Sequence, residues 1–175
     1  MQLETRNVEE TLALGRLIGS VAAGLPGVTC IGLDGPLGAG KTHLTRGMAE
    51  GAGVVDATLV SSPTYVLMNI YEGPTPVRHF DAYRVGAAAE FAEIGFEEAV
   101  LGAGETGGAI VVVEWAGRVA ALLPADTLWI AIEHEGDLED ERRSFTFRAG
   151  GPSAQRLLER IASDRGLTVG QSNPP

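Results

Sequence analysis

The chain has 175 residues, 45% of them hydrophobic, with 23 acidic against 13 basic side chains and a formal charge of −10. This is the balance of a globular protein with a core of its own, and so acidic a surface opposes independent binding to nucleic-acid phosphates, though not to a protein that holds the nucleic acid. A lone cysteine, Cys30, excludes a disulfide framework and a cysteine zinc site. No apolar run approaches the roughly 18 residues that span a bilayer, and no signal-peptide pattern opens the chain, so a cytoplasmic protein without membrane or DNA partners is expected.

In chain order, Asn7 with Glu10 three residues on reads as a capping box. Leu14, Leu17, Ile18, Val21 and Leu25 then recur at helical spacing up to Pro26-Gly27. Val28 to Leu33 is a short apolar run suited to a buried strand, with Cys30 as a core residue within it. After the glycine-rich turn Gly35 to Gly40, helical spacing resumes at Leu44 and Met48 and stops near Gly51 and Gly53. Ser61-Ser62-Pro63-Thr64 is a loop signal. The runs Tyr65 to Tyr71 and Val77 to Tyr83 flank a turn-rich connection and predict an antiparallel hairpin. A helix broken near Gly95 is expected over Ala87 to Leu101.

Ile110 to Val113 is a second continuous apolar run, and Leu128 to Ile132 and Ser144 to Arg148 are further strands around an acidic loop, Glu133 to Glu141. Pro152 suits the first turn of a last helix with Leu157, Leu158 and Ile161 inside. The pattern predicts one α/β domain over residues 1–169, a mostly parallel sheet flanked by helices on both faces, and a frayed tail over residues 170–175.

Twelve of the basic residues are arginine, and the thirteenth is Lys41. It lies in Gly35-Pro36-Leu37-Gly38-Ala39-Gly40-Lys41-Thr42, which satisfies the phosphate-loop pattern G-x-x-x-x-G-K-[ST]. Glycines let successive backbone N–H groups converge on phosphate oxygens, and the helix that follows adds the positive end of its dipole. Lys41 supplies a mobile positive charge for the outer phosphates and the Thr42 hydroxyl a ligand for Mg²⁺. For this composition the pattern arises by chance about 0.002 times in the whole chain. The base-reading loop Asn-Lys-x-Asp of guanine-binding proteins needs a second lysine, so ATP is the expected nucleotide.

A phosphate-loop enzyme also needs a carboxylate near the metal at the end of a neighbouring strand. Glu114 directly follows Ile110 to Val113 and fits that place. Asp81, in His79-Phe80-Asp81-Ala82-Tyr83-Arg84, is the second candidate. Alternation places His79, Asp81 and Tyr83 on one face, where Asp81 would position the attacking water or else form a structural pair with Arg or Tyr. The hydroxyls at Ser61 to Thr64 are candidates for sensing the γ-phosphate, as against an ordinary turn. His43 and His134 read as surface or cap residues, and Trp115 as core or as packing for the active loop.

The set Gly35 to Thr42, Ser62-Pro63-Thr64-Tyr65, His79 to Arg84, Glu93-Ile94-Gly95-Phe96-Glu97-Glu98 and Val112-Val113-Glu114-Trp115 resembles the bacterial TsaE (YjeE) family in order and spacing. The resemblance weakens after about Ala125. It implies a small phosphate-loop ATPase of threonylcarbamoyladenosine synthesis at position 37 of tRNAs that read ANN codons. It implies action with the TsaB–TsaD complex, which carries the transfer chemistry and through which tRNA would be met. By that likeness Lys41 holds phosphate together with Gly35, Gly38, Ala39 and Gly40. Thr42 and Glu114 hold Mg²⁺, Asp81 assists hydrolysis, Ser62 to Thr64 form the switch, and Thr11 approaches the nucleotide. Position 43 falls beside the nucleotide too, but family members often carry a second Thr or Ser where this chain has His43. Two other readings compete with this one. In a small-molecule kinase Arg142, Arg143 and Arg148 would be lid arginines, and in an assembly switch hydrolysis would be incidental.

Overall fold

The two continuous apolar runs, β2 (Val28–Asp34) and β5 (Ala109–Glu114), lie side by side and parallel in the middle of a seven-stranded sheet. The computed structural model describes residues 1–63, 68–85, 95–101, 108–135 and 141–164. The other elements are β1 (Gln2–Thr5), α1 (Val8–Ala23), α2 (Lys41–Gly51), β3 (Met68–Tyr71), β4 (Val77–Asp81) and α3 (Phe96–Leu101). They are followed by β6 (Thr127–His134), β7 (Arg143–Ala149) and α4 (Pro152–Asp164). Short 3-10 segments lie at Ala57–Leu59 and Ala116–Leu122.

The strand order is β1-β7-β6-β2-β5-β4-β3. Strands β6, β2, β5 and β4 run parallel, and β7, β1 and β3 extend the sheet by antiparallel pairing. The expected α/β architecture with a mostly parallel core is therefore the one observed, and β3 with β4 forms the expected hairpin. All six side chains of β5 are buried, which is why that strand reads as one apolar run rather than an alternation.

Core side chains divide by face. Ile31, Leu33, Ile110, Val112, Leu128 and Ile130 pack under α1, α2 and α4. Cys30, Phe80, Val111 and Val113 pack on the other face under Phe96 of α3 and under Ala116 and Val119 of the second 3-10 segment. On the first face α1 and α2 meet through glycines. A Cβ on Gly19 would lie 2.0 Å from the Met48 carbonyl oxygen, and one on Gly51 2.0 Å from that of Arg16. Gly15 and Gly47 are as tightly apposed, so the two helix backbones touch with no room for side chains.

Several expectations need adjustment. Helix α1 starts at the predicted cap, where the Asn7 side chain accepts from the Glu10 N–H at 2.9 Å. It ends at Ala23, before Pro26, because Gly24 closes it with its N–H on the Ser20 and Val21 carbonyls. Strand β4 stops at Asp81, and Ala82 and Tyr83 enter a turn. Glu133 and His134, expected in an acidic loop, extend β6 because they pair with Ser144 and Arg143 of β7. Strand β1 was not anticipated; it is held by β7, more than 130 residues away in the chain. Of the helix expected over Ala87 to Leu101, residues 87–94 lie outside the described residues, as does the tail over residues 170–175.

Candidate active site

Three strand ends and one loop build the site. The parallel register places Leu33 beside Glu114 and Glu114 beside Asp81, so the carboxyl ends of β2, β5 and β4 finish at one level. Ligands of open α/β sheets bind at this edge. The chain leaves β2 at Asp34 and turns through Gly35, Gly38 and Gly40, with φ of +149°, +78° and +98°, into α2. A side chain at Gly35 would strike the Ile132 carbonyl at 2.3 Å, whereas a Cβ on Gly40 would meet nothing within 4 Å. Glycine at 35 is needed for packing, and glycine at 40 for the left-handed turn that keeps the loop open. Gly40, the N-cap of α2, has no side chain to cap it, and the N–H groups of the first turn, from Lys41 to His43, lie beyond the reach of the intrahelical ladder.

A cleft of about 300 Å³ opens over this loop, lined by Leu37, Gly38, Ala39, Gly40, Lys41, Thr42 and His43 on one side. Ser62, Asp81, Tyr83, Glu114 and Trp115 line the other. Lys41 Nζ donates to the Gly35 and Pro36 carbonyls at 2.8 and 2.9 Å and stands 3.8 Å from the centre of the Trp115 ring. Burial pushes its pKa below the usual lysine value, against the opposing pull of Glu114, Asp81 and Asp34. Trp115 has φ +59°, the one non-glycine residue with positive φ among those described, and this turn past β5 lays its indole over the ammonium. Tyr83 leans on the indole at 5.0 Å, and Arg118 donates to the Tyr83 carbonyl at 2.8 Å.

Glu114, 3% exposed, accepts on a single oxygen from both the Thr42 hydroxyl and His79 Nε2, each at 2.9 Å. Asp81 accepts from the Ser62 hydroxyl on one oxygen and from the Tyr83 N–H at 2.8 Å on the other. The Ser61 backbone is in turn bonded to the Tyr71 hydroxyl. Asp34 accepts from the Gly117 N–H at 3.0 Å, tying the second 3-10 segment to the loop strand.

Most of the residues singled out from sequence thus converge: Gly38, Ala39, Gly40, Lys41, Thr42, His43, Asp81 and Glu114 line one cleft, and Gly35 turns the chain beneath it. Thr11 does not join them. It is buried in α1, with its hydroxyl on Thr5 Oγ1 at 2.8 Å and near the Asn7 carbonyl at 3.2 Å. Thr64 and Tyr65 lie outside the described residues, as do Glu93 and Ile94.

His43 borders the cleft rather than the outer surface, and burial, aided by Arg46 and Arg143, lowers its pKa. His134 is half-buried near the end of β6, with both its ring nitrogens shut from solvent, near Gly38. None of Arg142, Arg143 and Arg148 lines the cleft, and Arg148 stacks on Trp129 instead, 5.3 Å from its ring. Sequence reasoning assigned no role to His79, Asp34 or Tyr83. His79 and Tyr83 were nonetheless signalled by lying on the face of Asp81 and within the His79 to Arg84 segment, whereas Asp34 was signalled only by its place at the end of a strand.

The arrangement fits a nucleotide with magnesium on chemical grounds. Thr42 and Glu114 present hard oxygen donors side by side. Of the loop amides, the Ala39 N–H is held by the Pro36 carbonyl at 3.2 Å, while those of Gly38 and Gly40 make no bond among the described residues. Among the described residues no group of three or more His, Cys, Asp or Glu side chains could hold a metal by itself. Magnesium is ordinarily held by one or two protein oxygens together with phosphate and water, and Thr42 with Glu114 are donors of that kind. No helix among the described residues is long and apolar enough to cross a membrane.

Comparison with known proteins gives a consistent result. Residues 5–144 match the family model described as "Threonylcarbamoyl adenosine biosynthesis protein TsaE". A Bacillus subtilis (strain 168) protein named tRNA threonylcarbamoyladenosine biosynthesis protein TsaE is 36% identical over 163 residues, covering 93% of this chain and 94% of its own length. The protein of the same name from Treponema pallidum is 33% identical over 132 residues, covering 75% and 90%. The solved structure described as "Crystal structure of Bacillus subtilus YdiB" superposes with a TM-score of 0.74 at 32% identity, covering 94% of this chain and 95% of that one.

Proposed function

This chain belongs to the TsaE family, a family of tRNA threonylcarbamoyladenosine biosynthesis, and on that premise we propose that it is a magnesium-dependent ATPase acting with the TsaB–TsaD complex. The observation that carries the reading is the meeting, in one cleft, of the phosphate loop with two carboxylates from adjacent strand ends. Gly38, Gly40 and the first turn of α2 offer amides to phosphate oxygens. Lys41 releases the Gly35 and Pro36 carbonyls to reach the outer phosphates. Thr42 and Glu114 would hold the magnesium ion, which when bound neutralises phosphate charge. Asp81, poised between the Ser62 hydroxyl and the Tyr83 amide, orients the attacking water, and the Ser62 contact ties that carboxylate to the loop that would respond to the γ-phosphate.

Such a site is expected to turn over slowly alone, since no arginine and no second lysine is among the described residues that line the cleft. Partner binding is what makes turnover productive, and tRNA is met through the complex. The kinase alternative loses its support, since its lid arginines do not line the cleft. ATP hydrolysis measured with and without the TsaB–TsaD pair, with tRNA modification scored in parallel, tests the proposal. Low activity alone and continued modification only with ATP and all three proteins are expected. Vigorous phosphoryl transfer to a metabolite by the chain alone would overturn it.

A further inference from the structure

We infer that His79 is a positioning residue that fixes the Glu114 carboxylate for metal binding; the inference rests on the ATPase reading above. His79 lies on β4, two residues before Asp81, and its side chain is 0% exposed. It does not line the cleft, so it cannot touch a substrate or exchange a proton with one. Its Nε2 is 2.9 Å from Glu114 Oε1. With a carboxylate as acceptor, the proton of that bond belongs to Nε2. The other ring nitrogen, Nδ1, is buried and has no hydrogen-bond partner among the described residues, and the Tyr71 ring stands 6.3 Å away, centre to centre. The only polar work of this imidazole is therefore done on Glu114.

That work is specific. The terminal torsion of a glutamate is broad and roughly two-fold, so a carboxylate held by one donor can still rotate. Thr42 and His79 both donate to Oε1, and two donors from different elements fix the carboxylate plane. Oε2 accepts no hydrogen bond among the described residues, while Glu114 lines the cleft. One oxygen is thus anchored inside and the other is left for the metal. When a nucleotide arrives, the Thr42 hydroxyl is itself wanted by the ion, and His79 then becomes the donor that still holds the carboxylate. Leaving a buried nitrogen unsatisfied costs stability, which an apolar residue in this place would avoid.

The test compares His79→Leu, His79→Gln and His79→Asn with the unaltered chain. It reads Mn²⁺ affinity in the presence of ADP by electron paramagnetic resonance, and ADP affinity in EDTA. The amide nitrogen of Gln can replace Nε2, whereas that of Asn reaches only the position of Nδ1. Removing an outer partner of a metal ligand typically costs about 10–100-fold in metal affinity. That loss is expected for Leu and Asn, with Gln restoring most of it and metal-free ADP affinity unchanged in all three. Leu matching the unaltered chain in Mn²⁺ affinity would overturn the inference, as would Gln proving no better than Asn, or ADP affinity in EDTA falling in parallel with metal affinity. Should the Leu variant fail to fold, the Gln–Asn difference decides alone. An unaltered chain that binds no ADP even with metal would instead overturn the ATPase reading itself.

Discussion

The seam between α1 and α2 and the cleft at the strand ends are built by opposite means. In the seam, stability comes from absent side chains: Gly15 faces Gly47, Gly19 faces the Met48 backbone and Gly51 that of Arg16, so backbone packs on backbone. In the cleft, charged groups are held out of water, with Lys41, Asp81 and Glu114 all largely buried and bonded mainly to one another's surroundings. Burying charge is a poor way to gain stability. Seam changes should therefore cost folding, and cleft changes should cost function while leaving the fold in place.

The largest expected effect tests the seam. In Gly19→Val the new side chain would meet Met48 backbone atoms at 2.0 to 2.8 Å, so α1 and α2 must separate. A loss of more than about 3 kcal/mol in urea unfolding is expected, beyond ordinary overpacking because the clash is with backbone. A loss below 1 kcal/mol would mean that the helices slide freely and that the contrast is false. Next, Lys41→Ala should weaken ATP binding on the order of a hundredfold, as befits a charge-assisted contact, while changing stability by no more than about 1 kcal/mol. Calorimetry and a denaturation curve on the same sample read both. Glu114→Gln should sharpen the contrast within the cleft: hydrolysis falls on the order of a hundredfold, but nucleotide binding in EDTA persists. Unchanged turnover would remove Glu114 from the site.

The smallest effect belongs to neither region. Asp126 accepts from the Ser153 and Ala154 N–H groups at 2.9 and 2.8 Å, capping α4. Its pKa is lowered: burial alone would raise it, but these two amides, the Ser153 hydroxyl and Arg156 outweigh that. A carboxylate whose pKa is lower folded than unfolded stabilises fully above its ordinary pKa and loses that contribution as pH falls toward the folded value. Asp126→Ala should thus cost about 1 kcal/mol at neutral pH, and the gap between the two unfolding curves should close in acid.

The phosphate loop, β2, β5 and the hairpin were legible because each announces itself locally, by glycines at fixed offsets or by a run of β-branched residues. What escaped was long-range. β1 is four residues whose only reason to be a strand is an edge offered by β7, and no local pattern announces that. The glycines of α1 and α2 look like poor helix formers until two helices are known to face each other, although their four-residue spacing was in plain view. Thr11 was placed at the nucleotide by resemblance, yet here its hydroxyl is satisfied by Thr5. The bond from His79 to Glu114 spans 35 residues and exists only because of the register of two parallel strands.

Lys41 has a further consequence. Its ammonium already rests on two carbonyls of its own loop and under an indole. If the proposed triphosphate binds, it must displace these internal rivals, so its grip would reflect only the margin between two sets of contacts. On the ATPase reading, the loop would reclaim its lysine as the spent nucleotide loosens, which would favour departure and ready the protein for another round.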